Sequence, residues 1–503
     1  MIRTVISVVV FLAIALFSLA LFVCRREVAE RIVVSALSLW LAYESVLGIM
    51  QLLGIAVSHN SMCPMTGGFA NSGPYGGFLA VCIAVVFAAA WRWRDSVNLY
   101  DRILFWLSSV SGCLGIVVLP ASMSRAGFVA LVVSAVAFAL IDTESKSYFK
   151  SHKWLILSVV AVAFVVGAGA FCLKKDSALG RFHIWEMELL AIADKPLTGH
   201  GFGKALGAYG DAQAEYFETE ERGQERVRIA GCPEYAFNEY LRMGMEFGIL
   251  GLLLSVAVIV LGTMMLCHSD SSLTFGLVAW GTFAMASYPL AVWQLRLLLA
   301  VFLGAAIGVS VKVGKKGRLI LVPALVCLSV GSMLVWLPEN KHRKEAESKW
   351  LEERRFADFE IFDGMADRLA ELYPRLRMKF RYLYDYGYAL HKECRYSESN
   401  VILMKGASIS SDPMFYNIIG KNFEALGDYD EAERNYIHSH NMVPSRLYPY
   451  ILLMEMEEKR GDTKQALSYA RKALSLPVND RNMSMRDLHN RAKKFYDEHS
   501  EDY

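Results

Sequence analysis

Charge is scarce in this chain. Only 20% of its 503 residues are Asp, Glu, Lys or Arg, against 54% hydrophobic ones, too few to cover a soluble protein of this length. That excludes an ordinary soluble globule and points to many membrane crossings. An excess of one sign is lacking too: the formal net charge is +2, and no basic tract or aromatic-basic patch stands out. Nucleic acid is therefore not an expected partner. The nine cysteines include no CxxC pair and no Cys/His cluster at zinc spacing, so a metal site has little support; no cofactor is expected either.

What the chain has instead is long apolar runs. Stretches able to cross about 30 Å of hydrocarbon at 1.5 Å per residue lie at roughly 5–23, 32–54, 74–91, 103–119, 126–141, 154–173, 247–267, 273–290, 294–311 and 319–337. The first is followed by Arg25 and Arg26 and offers no small-residue cleavage site, so it reads as a retained helix. Lys and Arg mark cytoplasmic loops. One alternating set holds Arg25, Arg26 and Arg31, then Arg92, Arg94 and Arg102, then Lys146, Lys150 and Lys153, then Lys312, Lys315, Lys316 and Arg318. The other set (55–73, 118–126 and 288–295) holds only Arg125. By parity the long loop 174–246 and everything after 338 face outward. Cys63 and Cys232 fall on that side, where an oxidising compartment would allow a disulfide.

The expected architecture is all-α: residues 1–338 form a polytopic bundle of about ten helices, and 339–503 a soluble α-solenoid. From about residue 340 the sequence turns charged and helix-forming. "YGYALHKECRYSES" (386–399), "GKNFEALGDYDEAE" (420–433) and "MEEKRGDTKQAL" (456–467) repeat at a period of 33 to 34 residues. That period, with a Gly-Asp turn before a small-residue helix face, resembles the tetratricopeptide repeat. The units fall near 378–411, 412–444 and 445–478. Ala389, Tyr396, Phe423, Leu426, Gly427, Tyr429, Ala432, Gly461, Ala466 and Ala470 are the matched positions, all read as packing. Such a solenoid offers a surface to a protein partner.

Four polar stretches lie on the expected outer side. "TGGFANSGPYGGFLA" (66–80) sets Asn71 among glycines, which suit either close helix packing or a ligand. "PASMSRAGFVAL" (120–131) places Arg125 at a helix entrance, against the charge rule. "GRFHIWEMELLAIADKPLTGHGFGKAL" (180–206) reads as an amphipathic helix over 182–194, with Ile184, Trp185, Leu189 and Ile192 at helical spacing, Arg181 at its start, and a glycine turn holding His200. "CPEYAFNEYLRMGMEFG" (232–248) lines up Glu234, Asn238 and Arg242 at helical spacing, with Glu239 and Glu246 nearby. Arginine matches phosphate oxygens in a fork and keeps its charge, so Arg125 and Arg181 suit a diphosphate-bearing lipid. Glu44 inside the second span is a further carboxylate with a proton or packing role.

In this order the four stretches resemble the O-antigen ligase and polymerase-like (Wzy-like) family of membrane glycosyltransferases, over most of residues 60–310. The matching segments are "GGFANSGPYGGFLA", "SRAGFVAL", "GRFHIWEMELLAIADKPLTGHGFG" and "AFNEYLRMGMEFGILGLLL". The resemblance implies a GT-C-like, metal-independent enzyme of the bacterial inner membrane. Such an enzyme takes a glycan from undecaprenyl diphosphate at the periplasmic face and passes it to a lipid or protein acceptor. It implies diphosphate contacts for Arg125 and Arg181. The family's His-Asn pair is Phe237-Asn238 here, which leaves the catalytic histidine's place vacant. Glu239 is then the first candidate base, with Asn238 and His200 as further catalytic candidates, His183 as another base candidate, and Asn71 and Glu234 lining the site. The readings that stay open are a ligase, a polymerase, a protein oligosaccharyltransferase, and a non-catalytic scaffold of envelope assembly.

Overall fold

The computed structural model describes residues 2–142, 146, 148, 175–218, 223–477 and 483–500. Its elements among those residues are helices, joined by two short 3-10 turns. Helices α1 (Ile2–Cys24), α2 (Arg26–Leu52), α3 (Ser72–Trp93), α4 (Leu99–Val118) and α5 (Arg125–Ile141) form the first half of the membrane bundle. After the loop helices α6 (Lys175–Asp194), α7 (Ala205–Glu218) and α8 (Gln224–Ile229), the bundle resumes with α9 (Glu239–His268), α10 (Leu273–Ala284), α11 (Trp293–Ser310) and α12 (Lys315–Asp358). Six of these are long and apolar enough to cross a membrane, and three more are shorter apolar helices. The expected span at 154–173 lies outside the described residues. The stretch expected to cross at 273–290 stops at Ala284, because the chain must clear Pro289, which begins a 3-10 turn.

Helix α3 is the centre of the bundle, with Phe78, Leu79, Val81, Val85 and Val86 fully buried against its neighbours. Gly76 and Gly77 serve packing. A Cβ on Gly127 of α5 would lie 2.6 Å from the Gly76 carbonyl oxygen, so the two backbones touch. Ser124 locks the crossing: its hydroxyl donates to the Gly73 carbonyl (2.9 Å) and accepts from Gly127 N–H (3.3 Å) as N-cap of α5. The glycine-rich loop ahead of α3 is pinned from α2. Gln51 accepts from the N–H groups of Thr66 (2.9 Å) and Gly67 (2.8 Å), and Glu44 accepts from Gly68 N–H (2.7 Å). Glu44 thus holds a loop in place, the packing role of the two the sequence left open.

Helix α9 is broken where its character changes. Gly248 sits at φ 71, ψ −169, a region open only to glycine, between the polar segment 239–247 and the apolar one. The turn after α6 fills the break: Ile249 N–H donates to Pro196 (2.7 Å), and the N–H groups of His200 and Gly201 donate to Met245 (2.8 Å) and Glu246 (3.0 Å). A Cβ at 248 would stand 2.6 Å from the carbonyl oxygens of Pro196 and Leu197. Gly248→Ala is therefore expected to cost at least about 1–3 kcal/mol from backbone strain alone. Denaturant unfolding of the detergent-solubilised protein checks it, and wild-type stability would show that the break relaxes.

Helix α12 runs unbroken for 44 residues out of the bundle and into the tail, passing Pro323 and Pro338. The composition change near 340 is therefore a change of surroundings along one helix. Beyond it come α13 (Met365–Leu376) and three antiparallel pairs, α14 (Phe380–Lys392) with α15 (Tyr396–Ala407), α16 (Met414–Ala425) with α17 (Tyr429–Met442), and α18 (Tyr448–Arg460) with α19 (Thr463–Ser475). Helix α20 (Met483–His499) closes the array. The Gly-Asp turns repeat: Gly427 and Gly461 share φ 82, and Asp428 and Asp462 cap the next helices by accepting from Glu431 N–H (3.2 Å) and Gln465 N–H (2.9 Å). In the first unit Cys394 takes the left-handed place, at φ 59. Ala389, Ala432, Ala466 and Ala470 are fully buried as expected, whereas Leu426 is half exposed at the end of its helix.

The tail docks on the same chain's loop. Helix α7 lies against α17, Gln213 donates to the Met442 carbonyl, Tyr416 OH donates to Asp211 (3.1 Å) and Ser411 Oγ donates to Pro233 (2.8 Å). Loop and tail therefore occupy one side of the membrane, as parity required. Part of the repeat surface is already taken by this internal partner. Cys63 and Cys232 do not pair: Ser72 Oγ donates to Cys63 Sγ (3.6 Å) and Arg446 donates to Cys232 Sγ (3.2 Å).

Candidate functional site at the tail side of the bundle

The loop helices carry one arginine onto another. Helix α6 is longer than the expected 182–194, starting at Lys175, and packs Met187, Ala191 and Ile192 against α7 and α9. Arg181 is thereby laid over the bundle, where its Nη1 donates to the Ala286 carbonyl (3.0 Å) just past α10. Its guanidinium stands 5.0 Å from the centre of the Phe237 ring, a cation–π contact. Burial lowers the Arg181 pKa, and the positive charge of Arg125 lowers it further. Arg125 is the first residue of α5, held beside α3 by the glycine crossing. The two cations come from segments far apart in sequence, and guanidiniums of this kind suit the oxygens of an anion.

An aromatic wall flanks the pair. Tyr235 stacks on Tyr288 (centroids 4.2 Å, 8° between planes), and Phe237 meets Tyr288 edge-on (5.6 Å). Asn71 Nδ2 reaches the Tyr288 hydroxyl at 3.5 Å while its Oδ1 caps α3 by accepting from Gly73 N–H (3.3 Å). Asn71, Arg125, Arg181 and the 234–237 segment are therefore parts of one surface. Tyr235 and Tyr288 were not singled out from the sequence. The available signal was the Tyr-Pro pair at 288–289 within an apolar hairpin.

Asn238, Glu239, His200 and His183 make structural contacts. Asn238 is the N-cap of α9, accepting from the N–H groups of Tyr240 (3.0 Å) and Leu241 (3.2 Å). Glu239 is buried, accepts from Leu290 N–H (2.8 Å) and binds Arg242 (2.6 Å), which also binds Glu246 (2.9 Å). His200 Nε2 lies 2.8 Å from the Ala191 carbonyl, tying its turn to α6. His183 is buried against Gln213 (2.9 Å), and burial pushes its pKa down. Glu234 is half exposed and pairs with Arg381 of the tail. Among the described residues no group of three or more His, Cys, Asp or Glu is disposed to hold a metal ion.

Glu188 is the unexpected neighbour. It is 1% exposed, and among the described residues neither of its oxygens has a hydrogen-bond partner. Burial first, and then the charge of Glu239, hold its carboxyl well above the ordinary 4.5. A raised folded-state value means that its contribution is full below about 4.5 and is lost as pH rises through the folded value. Glu188→Gln is therefore expected to raise the melting midpoint at pH 8, by a margin that shrinks toward pH 5. A margin that is constant or grows on acidification would show that Glu188 does not titrate this way.

Fold and site define a multi-pass membrane protein with a cationic, aromatic-walled site beneath an extramembrane loop and a helical-repeat tail. Residues 110–256 match the family model described as O-Antigen ligase, and the chain carries a domain of that family. The match takes in both arginines and the polar threshold of α9. No curated protein matches the chain. Among solved structures, that of MamA aligns at 17% identity over 33% of this chain and 94% of its own, with a TM-score of 0.25. The TPR domain of P58(IPK) aligns at 11% identity over 75% and 94%, with a TM-score of 0.22. The repeat assignment rests on the period and helix pairing described above.

Proposed function

We propose that this O-antigen ligase-type protein transfers a glycan from undecaprenyl diphosphate to an acceptor hydroxyl at the periplasmic face of the inner membrane. What supports the reading is a chain of contacts: Arg181 lies on the Phe237 ring, Phe237 meets Tyr288, and Tyr288 meets Asn71 at the α3–α5 crossing whose helix Arg125 opens. The acceptor oxygen attacks the anomeric carbon, the C–O bond to the diphosphate breaks, and the lipid diphosphate leaves with the bonding pair. Two fixed guanidiniums stabilise the charge that grows on that leaving group. Tyr235, Phe237 and Tyr288 supply flat apolar faces of the kind that sugar rings stack on.

The proton of the acceptor needs a base. Glu239 is the motif's own carboxylate, but its two oxygens are engaged by Leu290 and Arg242. We assign it to holding the 288–291 turn under the arginines. Glu234, half exposed and next to the Tyr235–Tyr288 stack, is the carboxylate with room for an acceptor. Deletion in the native host tests the reaction. Accumulated lipid-linked glycan with an unglycosylated lipid acceptor indicates the ligase, single-unit glycans a polymerase, and unmodified protein an oligosaccharyltransferase. Unchanged glycans in all three pools would remove the proposal and leave a scaffold.

A further inference from the structure

At the end of the bundle away from the tail, five arginines from three parts of the chain converge on one cavity of about 910 Å³. They are Arg25, Arg26 and Arg31 at the α1–α2 corner, Arg92 near the end of α3 and Arg318 at the start of α12. Three carboxylates, Glu27, Glu30 and Asp270, share the lining, so it stays cationic. The cations are not equally engaged. Arg31 is paired with Asp101 (3.0 Å) and Arg92 with Glu30 (3.0 Å). Glu30 is itself buried and accepts from Ser271 Oγ (3.2 Å) and from Ser272 N–H (2.7 Å) and Oγ (2.8 Å), which fixes Arg92 against the wall. Arg25 and Arg26 are exposed and make no ion pair among the described residues.

Two further features favour an anion. The N-termini of α2 and α12 both open at this end, and neither has a side-chain cap, so their dipoles and free N–H groups add to the positive field. Phe22, Val23 and Trp93, all buried, form an apolar part of the lining. Just beyond Arg318, Leu319 and Ile320 are strongly exposed on the flank of α12. A charged mouth beside an apolar, bilayer-facing flank matches an amphipathic anion better than a soluble one.

The geometry points to a binding site for the phosphate head group of an anionic glycerophospholipid, held by Arg25 and Arg26 with its acyl chains along α12. The charge rule for membrane loops predicts basic residues at this end but no cavity. Arg102, Lys312, Lys315 and Lys316 lie at the same end without lining it.

The test uses the purified full-length protein in detergent, with native mass spectrometry and melting midpoint as readouts. The probes are cardiolipin, phosphatidylglycerol, phosphatidylcholine and inorganic pyrophosphate. The anionic lipids are expected to be retained and to raise the midpoint, while phosphatidylcholine does neither. The double variant Arg25→Gln/Arg26→Gln is expected to bind them at least about tenfold more weakly, and Arg102→Gln to bind like the wild type. Pyrophosphate at equal concentration should not displace them. Equal retention of phosphatidylcholine, an unaffected double variant, or an equal loss in Arg102→Gln would overturn the site. Displacement by pyrophosphate would assign the cavity to a soluble phosphate and overturn the lipid.

Discussion

Arg125→Ala and Arg181→Ala are each expected to lower glycan transfer by about 10²–10³-fold, the loss typical of removing one group that stabilises charge in a transition state. Neither variant should lose membrane insertion. The Arg181 side chain anchors on a single carbonyl, that of Ala286, and on the Phe237 ring, so its removal leaves no buried charge unpaired. The Arg125 helix is fixed by Ser124 and the Gly76–Gly127 crossing, neither of which needs the guanidinium. Transfer measured in vesicles with lipid-linked glycan donor is the check. Arg181→Lys separates charge from shape: a lysine keeps the cation but loses the fork, so it should recover only part of the activity. Full activity in either alanine variant would remove the diphosphate clamp.

The second large effect is on folding. Arg242→Ala leaves Glu239 and Glu246 as two buried carboxylates without their shared cation. Breaking a buried ion pair by removing one partner costs about 3–5 kcal/mol. The loss should spread, because Glu239 also holds Leu290, and the adjoining Tyr288 forms the aromatic wall. Unfolding in detergent and protease access to the 288–295 turn report it. The double variant Glu239→Gln/Arg242→Ala should recover part of the stability while staying poor in transfer. A single variant that melts like the wild type would mean that the charges relax into solvent.

The bundle was legible because apolar length and loop charge are local properties. Nine of the ten expected spans have helices at their positions among the described residues, and the tenth, at 154–173, lies outside them. The repeats were legible for the same reason, since a Gly-Asp turn is written in adjacent residues. The sequence also named the arginines and Asn71, because polar groups beside hydrocarbon need an explanation. What it did not fix was which polar groups face the site. Glu239 and Asn238 look catalytic from their motif, yet a carboxylate can equally be consumed by a backbone N–H 51 residues away, as Leu290 does here. Long-range pairings of that kind have no period and no composition. The docking of α7 on the repeats escaped for the same reason: Gly207 and Gly210 are ordinary helix residues until the tail lies 2.4 Å from where their Cβ atoms would be.

Helix α12 has a mechanical consequence. Its 44 residues span about 66 Å at 1.5 Å per residue, of which a bilayer covers about 30 Å. The remainder is a stiff post that sets both the height and the rotational phase at which the repeats meet the loop. Each residue added to or removed from that post turns the tail by about 100° and shifts it by 1.5 Å. The Arg381–Glu234 contact, which joins the tail to the rim of the candidate site, survives only when post and loop agree on that phase. The length of one helix therefore registers a soluble array against a membrane site, as a screw thread registers two machined parts.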